Sequence, residues 1–221
     1  DHKWLYGGRP AVNLLARSET GESIEEWNKM DKIHTVVYVT SNELKFKVAL
    51  QALRNSSIIL ERKSLNTPEI QSKSVEEIAE WSAIWASQKL NQPVVVMDAG
   101  YYIEALNGFP GPFIKYVNEW FCVDDYLNLL QGKSNRRVII RDCLAYCCPE
   151  ERPTVFCQLH QGEVATKVGR QNGTSIDQIF IPDGYSKPIS EIPSDEMLTY
   201  WSNANIWQEL KLHIEGSVNS G

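Results

Sequence analysis

The sequence predicts a mixed α/β fold built on one twisted sheet, and three observations carry that expectation. Strand and helix periodicities alternate from His34 to Met97, a βαβαβ opening. The last strand of that opening, Val94–Met97, is a continuous apolar run, the pattern of a strand covered on both faces. The second half then reads as strands that return as hairpins, which adds antiparallel pairs to the parallel ones.

The elements follow in order. His34–Val39 is rich in β-branched residues and reads as a strand. Asn42–Arg54 has helical spacing, with Leu44, Val48, Ala52 and Leu53 apolar. Ser57–Leu60 is a second strand. Ser74–Leu90 is a helix: the Ser74 hydroxyl suits the N-cap, and Glu76 and Glu77 favour the positive end of the helix dipole. Pro112–Phe121 and Asp124–Leu130 read as helices, Val138–Cys147 and Thr154–His160 as strands. Gly162–Lys167 alternates weakly and is expected to pair with the preceding strand as a hairpin. Gln178–Ile181 is short and extended, and Met197–His213 reads as one long helix. The expected division is a domain over residues 34–215, an N-terminal extension over 1–33 and a flexible tail over 216–221. In the extension a short helix is expected from Ser23, with Glu25 and Glu26 in its first turn, and Trp4 and Tyr6 suggest docking.

Composition narrows the function classes. The chain has 221 residues, enough for one large domain, with an ordinary 43% hydrophobic and 23% charged content. No apolar run approaches the roughly eighteen residues of a membrane span. A net charge of −6 argues against a broad nucleic-acid surface, whereas a small phosphate ligand needs only a few local lysines. The five cysteines argue against a disulfide framework. Cys157 and His160 with Cys147 and Cys148 form a conceivable metal cluster. Cysteines on adjacent strands are the preferred reading, because neither a paired CxxC nor a second nearby His is present. The start at Asp1 hints at a removed leader or trimming but names no compartment. An intracellular location, mitochondrial or cytoplasmic, is the expectation.

Three segments carry chemistry. Thr40-Ser41-Asn42-Glu43-Leu44-Lys45 follows the first strand and opens the first helix. A helix N-terminus presents free N–H groups and partial positive charge, so it favours a phosphate, with Asn42 and Lys45 as further donors. Asp98 ends the third expected strand, where α/β sheets place ligands and metals. Asn107-Gly108-Phe109-Pro110-Gly111-Pro112 then forms a rigid turn leading to Lys115. Glu69, just before the second long helix, can join Asp98 as an oxygen ligand, and one or two carboxylates with substrate phosphates suit Mg2+.

These blocks resemble the inosine triphosphate pyrophosphatase family, whose members hydrolyse aberrant purine nucleoside triphosphates. Thr40 through Lys45 is similar to the family's Thr-Gly-Asn-x-x-Lys turn, and Pro68-Glu69-Ile70-Gln71 to its Leu-Pro-Glu-Tyr-Gln stretch. Asp98 through Lys115 resembles its acidic strand end and Gly-Pro loop, and Phe180-Ile181-Pro182-Asp183-Gly184-Tyr185 its Phe-x-Pro-Asp-Gly-Tyr block. The blocks keep the family's order, and this version looks like the eukaryotic branch rather than the bacterial one. The resemblance implies a mixed twisted sheet in two lobes with flanking helices and a central cleft. It implies cleavage between the α- and β-phosphates, with Glu69 and Asp98 on Mg2+, Asp98 or a second carboxylate beside it activating water, and Asn42, Lys45 and Lys115 on the triphosphate.

Departures gather in the pocket. Met97 stands where the family has an acidic residue, Ser82 and Met197 where it has lysines, and Trp201-Ser202-Asn203 where a Ser-His-Arg triplet reads the purine. Of the Phe-Gly-Trp-Asp-Pro segment that packs around the base only Asp177 is retained, a base-pocket remnant. Three lost charge-assisted contacts at roughly 1.5–3 kcal/mol each would weaken a triphosphate complex by about three or more decades. The expectation is therefore a degenerate, non-catalytic homologue acting as a structural or interaction subunit, with other protein subunits or a homodimer mate as partners. The alternative is an active Mg2+-dependent pyrophosphatase converting inosine or xanthosine triphosphate to monophosphate and pyrophosphate.

Overall fold

The computed structural model describes residues 33–216, so the readings of Trp4, Tyr6, Ser23 and the tail beyond residue 216 lie outside the described residues. The strands are β1 (His34–Val39), β2 (Ile58–Lys63), β3 (Val94–Ile103), β4 (Pro110–Gly111), β5 (Arg137–Cys147), β6 (Thr154–Val164) and β7 (Phe180–Pro182). The helices are α1 (Glu43–Ala52), α2 (Val75–Leu90), α3 (Ile114–Trp120), α4 (Val123–Leu129), α5 (Ser194–Ser202) and α6 (Asn205–Gly216).

Alternation along β1 sets the layers. Val36 and Tyr38 enter one core cluster and Val37 and Val39 another, on the opposite face. A strand with no polar face needs a helical layer on each side. Val48, Ala49 and Leu53 of α1, with Ile206, Trp207, Leu210 and Ile214 of α6, cover the first face. Val75, Ala79, Ala83 and Ala86 make a stripe along α2 that covers the second; small side chains let this helix lie close to the sheet. A third cluster, around Tyr101, Ile103, Tyr126, Val138, Ile179 and Phe180, fills a second lobe at the far end of β3 and β5.

The sheet has seven strands in the order β2-β1-β3-β5-β6-β7, with β4 paired to β3. β2, β1 and β3 are parallel, as short βαβ crossovers require, while β5, β6 and β7 add antiparallel pairs. The mixed α/β expectation is met.

Both long helices start where their caps are. Asn42 Oδ1 accepts from Lys45 N at 3.0 Å and Ser74 Oγ from Glu77 N at 3.2 Å. Three expectations need correction. β3 runs on to Ile103 instead of ending at Met97, because β5 pairs with it along its whole length. The hairpin expected at Gly162 does not form, and β6 continues to Val164. Gly162 is instead a point of close approach: a Cβ there would lie 2.3 Å from the Ile181 carbonyl oxygen of β7. The single helix expected over Met197–His213 is two, α5 and α6, broken at Asn203-Ala204. The break lets Trp201 reach both lobes while Trp207 stays on the first.

Candidate active site

The site grows out of the alternation of β3. Met97 and Ala99 line a cavity of about 310 Å³ on the α1 and α6 side, shared with Asn42 and Lys45. Asp98 points to the opposite side and lines a second hollow of about 560 Å³ with Glu69, Lys115 and Tyr116. The sequence-predicted residues are therefore brought together around one short stretch of strand, but on its two faces.

On the first face the N-terminus of α1 supplies the donors. Asn42 uses its Oδ1 for the cap, and the Thr40 hydroxyl accepts from Asn42 N at 3.1 Å. Lys45 reaches across the strand and donates from Nζ to the Met97 carbonyl at 3.1 Å. The ammonium also acts on Asp98 and favours its ionised form.

On the second face Asp98 is largely buried. Burial raises its pKa above the ordinary carboxylate value, against the opposing pull of Lys45, the Ala99 N–H and Lys115. Its Oδ1 accepts from Ala99 N at 2.8 Å. Glu69 lies nearby and accepts from Lys115 Nζ and from the Tyr116 hydroxyl, each at 2.5 Å. The hydrogen bond from Lys115, and then that from Tyr116, hold Glu69 below its usual range. Lys115 is placed by the turn before α3, where Gly108 and Gly111 take φ values of +86° and +61° that a side chain would strain.

The base side differs from expectation. Asp177 lines the 310 Å³ cavity, but its Oδ2 is used within its own turn, accepting from Thr174 N at 2.7 Å and Thr174 Oγ1 at 2.9 Å. Trp201 is one wall of the cavity and does not fill it. Ser82 lies on the buried face of α2 and lines neither hollow. Sequence reasoning missed Asp142, which lines the same cavity. His160 Nε2 lies 3.3 Å from Asp142 Oδ2, and its Nδ1 lies 3.3 Å from the Tyr200 hydroxyl. The Trp201 ring meets the imidazole edge-on at 4.7 Å. The available signal was a charged pair, Arg141-Asp142, inside an otherwise apolar strand. Of the cysteines, Cys143 and Cys147 lie on β5 and Cys157 on the adjacent β6, as preferred, with Cys143 opposite Cys157; Cys148 follows the end of β5 and Cys122 precedes α4.

A model described as the Ham1 family matches residues 36–204. The chain belongs to the Ham1 family. Among curated Ham1-family relatives, the dITP/XTP pyrophosphatase of Methanopyrus kandleri is 39% identical over 161 residues, covering 73% of this chain and 86% of the relative. The dITP/XTP pyrophosphatase of Thermococcus kodakarensis is 32% identical with the same coverage. A HAM1 protein from Coxiella burnetii superposes with a TM-score of 0.71 at 21% identity, over 82% of this chain and 98% of that one. The Staphylococcus aureus Ham1 protein gives 0.68 at 21% identity, over 83% and 99%. At that identity the two structures speak for the fold, and the fold agrees.

The expectation of a degenerate, non-catalytic subunit is corrected. Curated relatives sharing up to 39% identity over most of their own length are named as dITP/XTP pyrophosphatases. The physical reason is that the substitutions counted as losses do not close the 310 Å³ cavity. Trp201 and Met97 border it, Ser82 faces the protein interior, and Asn42, Lys45 and Asp98 all stand at the site.

Proposed function

We propose that this chain is a Mg2+-dependent pyrophosphatase that converts aberrant purine nucleoside triphosphates such as dITP and XTP to the monophosphate and pyrophosphate. One observation carries the reading: Asp98 feels the charge of two lysines from different elements, with a cavity of ligand size on the other side of its strand. The names of the curated relatives support the same activity.

Asp98 and Glu69 would hold the metal. The donor set fits, being hard oxygen throughout, and Asp98 is a carboxylate whose charge its surroundings leave under-compensated. When bound, the ion supplies neutralisation of phosphate charge and Lewis acidity. The remaining steps belong to the chain. Asn42, with Oδ1 held by the cap, keeps Nδ2 to donate to a phosphate oxygen, and the α1 N-terminus favours the same anion. Lys45 and Lys115 neutralise charge on the triphosphate, Lys115 exchanging Glu69 for phosphate. Asp98 accepts the proton of a water attacking the α-phosphorus. The bond from that phosphorus to the bridging oxygen breaks and pyrophosphate leaves. The purine lies against the apolar walls of the first cavity, with Asp142 and Asp177 at its polar edge.

A homodimer mate is the partner this reading favours, paired through the lobe of the Gly-Pro loop, where Trp120 is 74% exposed beside Phe113 and Tyr116. Among the described residues no helix is long and apolar enough to cross a membrane. The test is pyrophosphate release from dITP, XTP and the ordinary triphosphates with Mg2+. Release from the aberrant purines, lost in Asp98→Asn, is expected. A folded parent protein that releases none refutes the proposal.

A further inference from the structure

The α2 face of the sheet carries a second set of donors one strand away from Asp98. β3 places Asp98 opposite Cys143, and β6 places Cys157 opposite Cys143 on the other side. Directly opposed residues share a face, so the three side chains form a row across the sheet. Glu76, in the first turn of α2, stands over the two thiols. The ligand atoms of Glu76, Cys143 and Cys157 lie within 4.8 Å of one another.

We propose that Glu76, Cys143 and Cys157 form a site for a borderline-soft divalent cation of the zinc class, distinct from the carboxylate site proposed for Mg2+. The donor chemistry selects the ion, since thiolates bind Zn2+ and its like and leave Mg2+ to oxygen donors. The geometry is near what such an ion needs. Zn–S of about 2.3 Å and Zn–O of about 2.0–2.2 Å put tetrahedral donors some 3.5–3.8 Å apart, so the cluster closes by roughly 1 Å. That is within the reach of side-chain torsions. Three protein ligands leave a fourth position for water, and Cys157 is exposed, which provides an entry path.

The surroundings answer the charge. Two thiolates and a carboxylate exceed a divalent cation by one negative charge, and Arg141 supplies the missing positive one. Its guanidinium pairs with Glu76, while its Nε is buried with no hydrogen-bond partner among the described residues. A metal-bound sulfur is an acceptor for that N–H. The Ser74 hydroxyl donates to Glu76 Oε2 at 3.0 Å. A carboxylate oxygen accepts more than one bond, so Arg141 and Ser74 orient Glu76 without exhausting it, as outer partners do for ligating carboxylates.

The experiment is a Co2+ titration of the full reduced chain, followed by thiolate-to-metal charge-transfer absorption. One equivalent is expected, displaced by Zn2+ and untouched by a large excess of Mg2+. Cys157→Ser, at an exposed position, removes the absorption, and Glu76→Gln, which removes a direct ligand, weakens binding by at least the roughly 10–100-fold that losing an outer partner costs. Asp98→Asn and the Cys122→Ser/Cys148→Ser double variant leave it intact. The inference is overturned if the absorption is absent, survives Cys157→Ser, disappears in Asp98→Asn, or gives way to loss of two free thiols without metal uptake. The Asp98→Asn arm separates this site from the pyrophosphatase reading, because either can fail alone.

Discussion

Asp98→Asn keeps the shape of the side chain and removes its charge. The amide oxygen still accepts from Ala99 N, a 2.8 Å bond in the parent, so the local backbone is held as before. Under the proposed mechanism, what is lost is the base that takes the proton from water and one ligand of the metal. General-base catalysis contributes about 10²–10⁴-fold, equivalent to about 2.7–5.4 kcal/mol of barrier, and losing the ligand adds to this. Stability moves the other way. Burial raises the Asp98 pKa above the ordinary carboxylate value, so the folded protein holds this proton more tightly than the unfolded chain does. Ionisation therefore costs stability as pH rises through and above that value, and no cost exists below it. Asn never ionises, so the variant melts higher than the parent at neutral pH, and the two converge in acid. The assay pairs pyrophosphate release from XTP with thermal melts at neutral and acid pH. Activity within about tenfold of the parent would refute the catalytic role. A lower melting temperature at neutral pH would show that the charge is structural.

Lys45→Ala removes a charge-assisted contact worth about 1.5–3 kcal/mol and should lower kcat/KM by roughly 10–150-fold, with pyrophosphate release as readout. NMR titration of the Glu69 carboxyl should show an inflection below 4.5, since the Lys115 bond favours the ionised form; in Lys115→Ala it should move back toward 4.5. Gly162→Ala would set a Cβ 2.3 Å from a backbone oxygen of β7. Neither strand can yield cheaply, so a loss of about 3 kcal/mol or more is expected, seen as a melting temperature lower by roughly 6–12 °C. Trp207→Ala, in the core with its indole N–H donating to the Trp201 carbonyl at 3.2 Å, should cost about 3–5 kcal/mol by denaturant unfolding.

Much of the fold was legible because it is written locally. Asn42 and Ser74 announce helix starts through short-range hydrogen bonds, and the apolar run Val94–Val96 announces a covered strand. The misreadings share one cause, a residue whose role is set by distant contacts. Gly162 looks like a turn and is a close approach to β7. Met197–His213 looks like one helix, yet Trp201 and Trp207 answer to different cores.

The same division holds at the proposed site. Residue types and their order were enough to single out Asn42, Lys45, Glu69, Asp98 and Lys115, which the fold gathers around one stretch of β3, since phosphates need donors at a helix start and metals need carboxylates. They could not weigh the departures. A lysine position occupied by Ser82 counts as a lost contact only if that position faces the ligand, and here it faces the interior of α2's packing. Trp201 reads in one dimension as a plug and stands in three as a wall. Asp142 and His160 carry no motif and meet only because β5 and β6 pair in one register. The sequence alone determined the α/β class and the helix starts and singled out the carboxylates and lysines of the proposed site, because propensity, capping and chemical type are properties of short segments. Only the tertiary structure decided which side chains share a face, which hollow stays open and which thiols lie over Glu76, because those depend on strand register and on cores assembled from residues far apart in the chain.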